Sequence, residues 1–325
     1  MMSYMASILA VSGINKNVWV LGLASAVTFA MPILFAAVGE ILCERSGVVN
    51  LGVEGMLLTG VVATFLAYDA WKSAPLAMLC GLFAAGAMAS VHAFLCITMR
   101  SNQTVSGLAL VIFGTGVSNF VGKPVEGKQI DAAFGEIRIP GLHTLPIVGP
   151  VLFSHNLLVY LSVFIVIAVA FYINRTRSGL TLRAVGESPA TADAQGISVA
   201  GVRYAHVIIV GMFAGLGGAY IVLADGPAWN QEKTTGGIGW IALALVVFAS
   251  WRPGRVMFGA IAFGFALRAN FTLQSAEITW FPADFLAMLP YVLTVVMLIA
   301  VSISDVSNKL GAPAALGRPF VRDER

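Results

Sequence analysis

The stretch "NRTRSGLTLRAVGESPATADAQGIS", Asn174 to Ser198, carries Arg175, Arg177, Arg183, Glu187 and Asp193 and reads like a loop and short helix from a water-soluble protein. On either side stand "LLVYLSVFIVIAVAFYI" (157–173) and "VIIVGMFAGLGGAYIVLA" (207–224), runs that water rejects. A helix needs about 20 apolar residues to cross hydrocarbon, and both runs come close to that length. A charged segment held between two such runs implies a chain that crosses a bilayer repeatedly and returns to water between crossings.

Composition says the same of the whole chain. Of 325 residues, 58% are hydrophobic and 11% charged, with a mean hydropathy of +0.87. A soluble domain carries about 25% charged residues, so most of this surface faces something other than water. The 34 glycines run through the apolar segments, as expected where membrane helices approach closely. A net charge of +3 is too small to imply a nucleic-acid partner. Cys43, Cys80 and Cys96 form no CxxC and stand inside apolar runs, where small core packing is the simplest reading. No Lys or Arg precedes Lys16, so the charged start of a cleavable signal peptide is missing and the first crossing helix is expected to direct insertion.

The fold class is therefore all-α and polytopic, one transmembrane unit over 1–325 with about nine (eight to ten) spans. The apolar runs fall near 18–38, 51–69, 74–98, 103–121, 156–173, 204–224, 236–250, 255–273 and 283–303, with 4–14 as a further partial candidate. Lys and Arg are retained on the cytoplasmic side. Placing 174–203 inside puts twelve of the 19 basic residues inside, six outside and Arg268 within a span. That orientation makes the loop 122–155 external and the tail 304–325 cytoplasmic.

Within the polar segment, helix punctuation is legible. Ser188 suits a cap, Pro189 the first turn and Gly196 a left-handed exit, with "ATADAQ" making about two turns between them. So short a helix is marginal alone in water and is expected to rest on the membrane domain or on a partner. The plainer reading is an ordinary inter-helix loop; the sharper one is a docking element that passes force from a soluble motor.

"RTRSGLTLRAVGESPATADAQGISV" closely resembles the coupling segment of ATP-binding-cassette importer permeases, in the branch that imports nucleosides and simple sugars. "GEILCERSGVVNLGVEGML" (39–57) resembles that branch's N-terminal signature, and "GLGGAY" (215–220), "ALALVVFASWRP" (242–253), "LPYVLTVV" (289–296) and "GAPAALGRPF" (311–320) match in order. The resemblance covers nearly the whole chain. It implies two permease subunits, identical or paralogous, two ATPase subunits on the cytoplasmic face and an extracytoplasmic substrate-binding lipoprotein. It also implies a bacterial inner membrane, and ATP and Mg²⁺ held by the ATPase with no cofactor on this chain. At "TTGGIGW" (234–240) the chain departs from the family's usual glycine–arginine–glycine-like start to its seventh span, which leaves room for a different ligand.

The coupling candidates are Arg183, Gly186, Glu187, Pro189, Asp193 and Gly196. The pathway candidates begin in "GVVNLGVEGM", where Asn50 and Glu54 stand among glycines at the start of a span. An intramembrane carboxylate is costly and is by default a functional candidate; the plainer alternative pairs Glu54 with Arg45 or has it cap a broken helix. A second glycine-rich start, with Gly236, Gly237 and Trp240, begins on the opposite side under the assigned topology. Two such starts in oppositely oriented halves point to a central pathway and to a possible inverted repeat. Trp240 suits stacking on a flat base, and Asn50 and Asn119 suit hydrogen bonds to one, although packing explains each as well. The spacing of Gly211, Ala214, Gly215 and Gly218 marks tight helix packing. Arg268 and Asn270 lie deep in a span, and His92 and His206 read as histidines satisfied by packing.

"GKPVEGKQ" (122–129) nearly matches a phosphate loop. Gln129 replaces the Mg²⁺-binding hydroxyl, Pro124 removes an N–H, Glu126 repels phosphate, and no strand precedes it. It is rejected as a nucleotide site, so ATP is expected to be hydrolysed by another chain. An ion-driven secondary transporter would need an ionisable relay within the spans, for which Glu54 and Arg268 are thin support. An intramembrane enzyme would need a Ser–His pair or a ligand cluster, and no such spacing is present. The leading reading is the permease of an ATP-driven importer, for nucleosides first and simple sugars as the alternative.

Overall fold

The computed structural model describes residues 2–131, 133–225, 229–275, 282, 285–286, 288–303 and 311–322. Of the expected tail, 304–310 with Lys309 and 323–325 lie outside the described residues, as do the first residues of the expected span 283–303 and the side chain of Asn270.

Helix α1 (Met2–Arg45) is a single helix, so the partial span expected at 4–14 is its N-terminal extension. It is followed by α2 (Val53–Trp71), α3 (Ala74–Ala93), which continues through a π turn to Thr98, and α4 (Gln103–Gly122). The loop after α4 carries a two-stranded antiparallel ladder, β1 (Ile137–Arg138) with β2 (Ser154–His155), around the short α5 (Val148–Leu152). Then come α6 (Leu157–Arg175), α7 (Arg177–Glu187), α8 (Pro189–Ala194), α9 (Val199–Tyr220), α10 (Ile238–Phe248), α11 (Pro253–Ser275) and α12 (Leu289–Ile303).

Among the described residues, six stretches are long and apolar enough to cross a membrane: Val18–Arg45, Val53–Trp71, Ala74–Thr98, Gln103–Val125, Leu157–Arg175 and Val199–Ala224. They coincide with the first six expected spans. Over their described residues the last three expected spans are helical too. Helix α10 has 11 residues, about 16 Å at 1.5 Å per residue, half the hydrocarbon thickness. Helix α11 has 23 residues and contains Arg255 and Arg268, and α12 has 15 among the described residues.

Helix α9 is the hub, packed on α1, α2 and α3, and its glycines explain how. A Cβ on Gly215 would stand 2.5 Å from the Gly81 carbonyl oxygen, and one on Gly60 would stand 2.7 Å from the Gly215 Cα. Three backbones therefore meet where only hydrogen fits, as the small-residue spacing led one to expect. The histidines behave as read. His206 bonds the Val202 carbonyl at 2.7 Å and the Tyr172 hydroxyl at 3.0 Å, tying α9 to α6. Arg268 lies over the Phe29 ring, 4.7 Å from its centroid.

The bundle has two chemically distinct ends. One gathers Arg45, Arg203, Arg318 and Arg322 around α7 and α8. At the other, Asp69 bridges Lys72 at 3.2 Å and Lys128 at 2.8 Å. The rejected phosphate-loop look-alike belongs to this second end. The Gly127 N–H donates to the Trp229 carbonyl at 2.9 Å, and Lys128 is held by Asp69, so neither is left for phosphate.

Candidate functional site

Between α1 and α2 the chain runs without helical hydrogen bonds through Ser46–Gly52, and much of it is buried. Unpaired backbone groups inside a membrane domain cost several kcal/mol each, so non-helical backbone survives there only where protein groups satisfy it. Side chains from three helices do so. Gln103 of α4 accepts from the Val49 N–H at 2.7 Å, and His92 of α3 pairs with the Val49 carbonyl at 3.1 Å and with the Ser106 hydroxyl at 3.1 Å. Glu40 of α1 accepts from the Asn50 backbone N–H at 3.3 Å and from its Nδ2 at 3.2 Å, while Asn50 Oδ1 accepts from the Gly52 N–H at 3.0 Å. Glu40, Asn50 and His92 are fully buried. Both polar ends of Asn50 are thus engaged in holding the segment in shape.

Glu54, in the first turn of α2, faces the other glycine-rich start. Its Oε1 accepts from the Thr235 hydroxyl at 2.6 Å and its Oε2 from the Gly239 N–H at 2.6 Å. Gly236 and Gly237 reach this point at φ +58° and +82°, the left-handed region that glycine enters at no steric cost. A Cβ on Gly239 would stand 2.7 Å from the Glu54 Cα. The two starts, far apart in sequence, are therefore in direct contact. Glu54 does cap a broken helix, but the helix is α10. Arg45 bonds the Trp251 carbonyl at 3.3 Å instead. Trp240 is 42% exposed. Asn119, on α4, is half-buried, and its Oδ1 has no donor among the described residues.

Sequence reasoning passed over Glu40 and Glu44. Glu44 accepts from the Trp251 Nε1, joining the end of α1 to the turn after α10. Their signal was present in "GEILCERSG": two acids four apart, on one face of an apolar helix just before a glycine turn.

At the arginine-rich end, the polar segment is two helices rather than a loop and one helix. Thr176 caps α7, accepting from the Gly179 N–H at 3.0 Å. Helix α8 starts at Pro189 and ends before Gly196 (φ +80°), as the punctuation implied. The Ser188 hydroxyl bonds Thr191 Oγ1 at 2.7 Å, with no cap to a backbone N–H.

The tail Gly311–Arg322 threads between these helices and the α1–α2 turn. The Ala315 N–H donates to the Gly186 carbonyl at 2.9 Å and the Gly317 N–H to the Gly47 carbonyl at 3.1 Å. Arg203, 2% exposed, donates from Nε to the Ser46 carbonyl at 3.2 Å and from Nη1 to the Arg318 carbonyl at 3.1 Å. Glu187 accepts from the Ala314 N–H at 3.4 Å, and Asp193 bonds Arg322 at 3.1 Å. Phe320 packs on buried Val185, Ala192 and Val199. Gly186 faces inward, since a Cβ there would stand 2.2 Å from the Arg45 carbonyl oxygen. Arg183 is half-buried. Ala190, Thr191, Ala194 and Gln195 form the exposed face of the α8 region.

Residues 22–302 match the family described as branched-chain amino acid transport system / permease component. The chain is 36% identical over 326 residues to a putative glucose ABC transporter permease protein of Haloferax volcanii, covering 93% of this chain and 97% of that one. It is 35% identical over 315 residues to a guanosine ABC transporter permease protein of Bacillus subtilis (91% and 95%). It is also 30% identical over 291 residues to a nucleoside ABC transporter permease protein of Lactococcus lactis subsp. cremoris (85% and 90%). No solved structure matches the chain.

Proposed function

The chain belongs to the branched-chain amino acid transport permease family, and from that membership and the geometry we propose that it is the nucleoside-conducting permease of an ATP-binding-cassette importer. It is a multi-pass transport subunit, not an enzyme, and takes its energy from a separate ATPase. In this reading α7 and α8 lie on the cytoplasmic side of a bacterial inner membrane, where the ATPase grips them, and ATP and Mg²⁺ stay on that partner. A second permease completes the pathway, and an external binding lipoprotein delivers substrate to the 122–155 side.

One observation carries the mechanism. An unbroken series of bonds runs from α8 through Asp193, Arg322, the tail and Arg203 to the Ser46–Gly47 turn. From there the bonded segment Val49–Gly52 leads to Glu54 and to α10. Movement of α8 by the motor therefore acts on the junction of the two glycine-rich starts without crossing a loose linker.

The guanosine and nucleoside relatives favour a nucleoside cargo; the Haloferax volcanii relative favours glucose as the second reading. Proteoliposomes holding the assembled importer decide between them. ATP-dependent accumulation of labelled guanosine, with none of labelled glucose, is the expected result. Glucose uptake alone would overturn the nucleoside assignment. Glu187→Arg tests the coupling role: insertion and assembly are expected to persist while uptake falls relative to ATP hydrolysis. Unchanged uptake would remove Glu187 from that role.

A further inference from the structure

Beside α8, a cavity of about 280 Å³ is lined by Arg100, Arg203 and Arg322 together with Ile97, Val199 and Phe320. A second cavity of about 340 Å³ shares Val199, Phe320 and Arg322 with it and extends to Asp193. No acid among the described residues lines the first. Asp193, the single acid among the described residues along the second, engages Arg322 through Nε.

Three features make this pocket a complement to an anion. Arg203 is a cation 2% exposed whose bonds among the described residues go to carbonyls and not to an acid; a buried guanidinium gains most from a negative partner. Arg100, in the left-handed exit of the helix that ends at Thr98, brings a further arginine to the cavity wall. Val199 and Ala200, the first residues of the 22-residue helix α9, also line the cavity, so the positive end of that helix faces it.

The apolar half of the lining selects among anions. Ile97 and Phe320 flank the arginines. Phe94 and Met99, on the same stretch of chain as Ile97, are 49% and 62% exposed where the apolar run Ala74–Thr98 ends. A ligand with a phosphate and long hydrocarbon chains satisfies both halves; a free phosphate satisfies one. Basic residues at a membrane surface contribute about 1 kcal/mol each toward anionic lipid.

We propose that this pocket binds the phosphate of an anionic phospholipid from the leaflet at the α7–α8 end, its acyl chains lying along the Phe94 surface. The site needs only that the chain resides in a membrane, so it stands or falls separately from the cargo and from the ATPase docking.

The test is native mass spectrometry of the full-length chain titrated with phosphatidylglycerol and with phosphatidylcholine. Wild type is expected to retain phosphatidylglycerol selectively. R100Q and R322Q are each expected to weaken retention about fivefold, the equivalent of one surface cation, while R100K keeps most of it. R175Q removes an exposed arginine from the same end of the bundle and is expected to change little. Equal retention by wild type and the R100Q/R322Q double variant would overturn the site, and so would an equal loss in R175Q. Displacement by millimolar inorganic phosphate without any preference for phosphatidylglycerol would overturn the lipid assignment in favour of a soluble phosphate. A photoactivatable phosphatidylglycerol on wild type checks the place without a folding risk: labelling should fall on 94–100, 199–203 and 318–322, and labelling elsewhere alone counts against the pocket.

Discussion

Glu54 accepts from two donors at the start of α10, the Thr235 hydroxyl and the Gly239 N–H. Removing the carboxylate with Glu54→Ala takes both of these bonds away. Hydrogen bonds to charged groups contribute about 1.5–3 kcal/mol each, so the variant is expected to melt well below wild type in detergent and to lose uptake. Glu54→Gln keeps one acceptor for Gly239 and an amide for Thr235, and is expected to recover most of the melting temperature. If Glu54→Ala melts like wild type, the carboxylate is not holding α10. At this scale the sequence was informative where a residue type was out of place, as with Glu54 among apolar neighbours. It was uninformative about partners, because nothing local says that an acid at 54 meets a glycine at 239. Glu40 and Glu44 went unseen for a related reason. They stand inside a long apolar run beside Arg45, where a surface pair explains them equally well until the buried geometry is known.

The helices were legible in proportion to how local their signals are. Proline at 189 and glycine at 196 act within a turn, and α8 starts and stops where they imply. Helix α7 was blurred because "RSGLTLRAVGE" carries two glycines and few apolar residues; tertiary contact of Gly179, Leu182, Val185 and Gly186 stabilises it instead. Helix α10 read as a short span from its apolarity, and at 11 residues it is short. Its start against α2 depends on glycine at 239, and that gives a clean comparison. Gly239→Ala puts a methyl group against the Glu54 backbone, and such overpacking costs about 1–3 kcal/mol. Gly254→Ala, on α11 with nothing within 4 Å of the added methyl, is expected to be neutral or slightly stabilising by helix propensity. Melting curves and uptake of the two variants side by side check it. Equal behaviour would mean that α10 tolerates displacement from α2.

At the scale of the molecule, the tail Gly311–Arg322 has the longest reach. Its resemblance motif was visible in sequence, but its function was not, since no periodicity links residue 315 to 186 or 317 to 47. In three dimensions it supplies the bonds that hold α7 and α8 to the α1–α2 turn. Arg203 completes that link from inside the bundle. A chain ending at Leu310 keeps every described helix but lacks those bonds. If the proposed docking holds, the motor still grips α8 and hydrolyses ATP, while its movement no longer reaches Ser46 and the segment leading to Glu54. The expected result is ATP hydrolysis close to wild type with uptake reduced about tenfold or more, the scale of a coupling free energy of roughly 1–3 kcal/mol. Arg203→Met, which retains the length of the side chain and removes its donors to Ser46 and Arg318, should move in the same direction. Loss of hydrolysis together with uptake would instead make the tail part of the ATPase contact, whereas full uptake by the shortened chain would show that force reaches the junction through the helices alone.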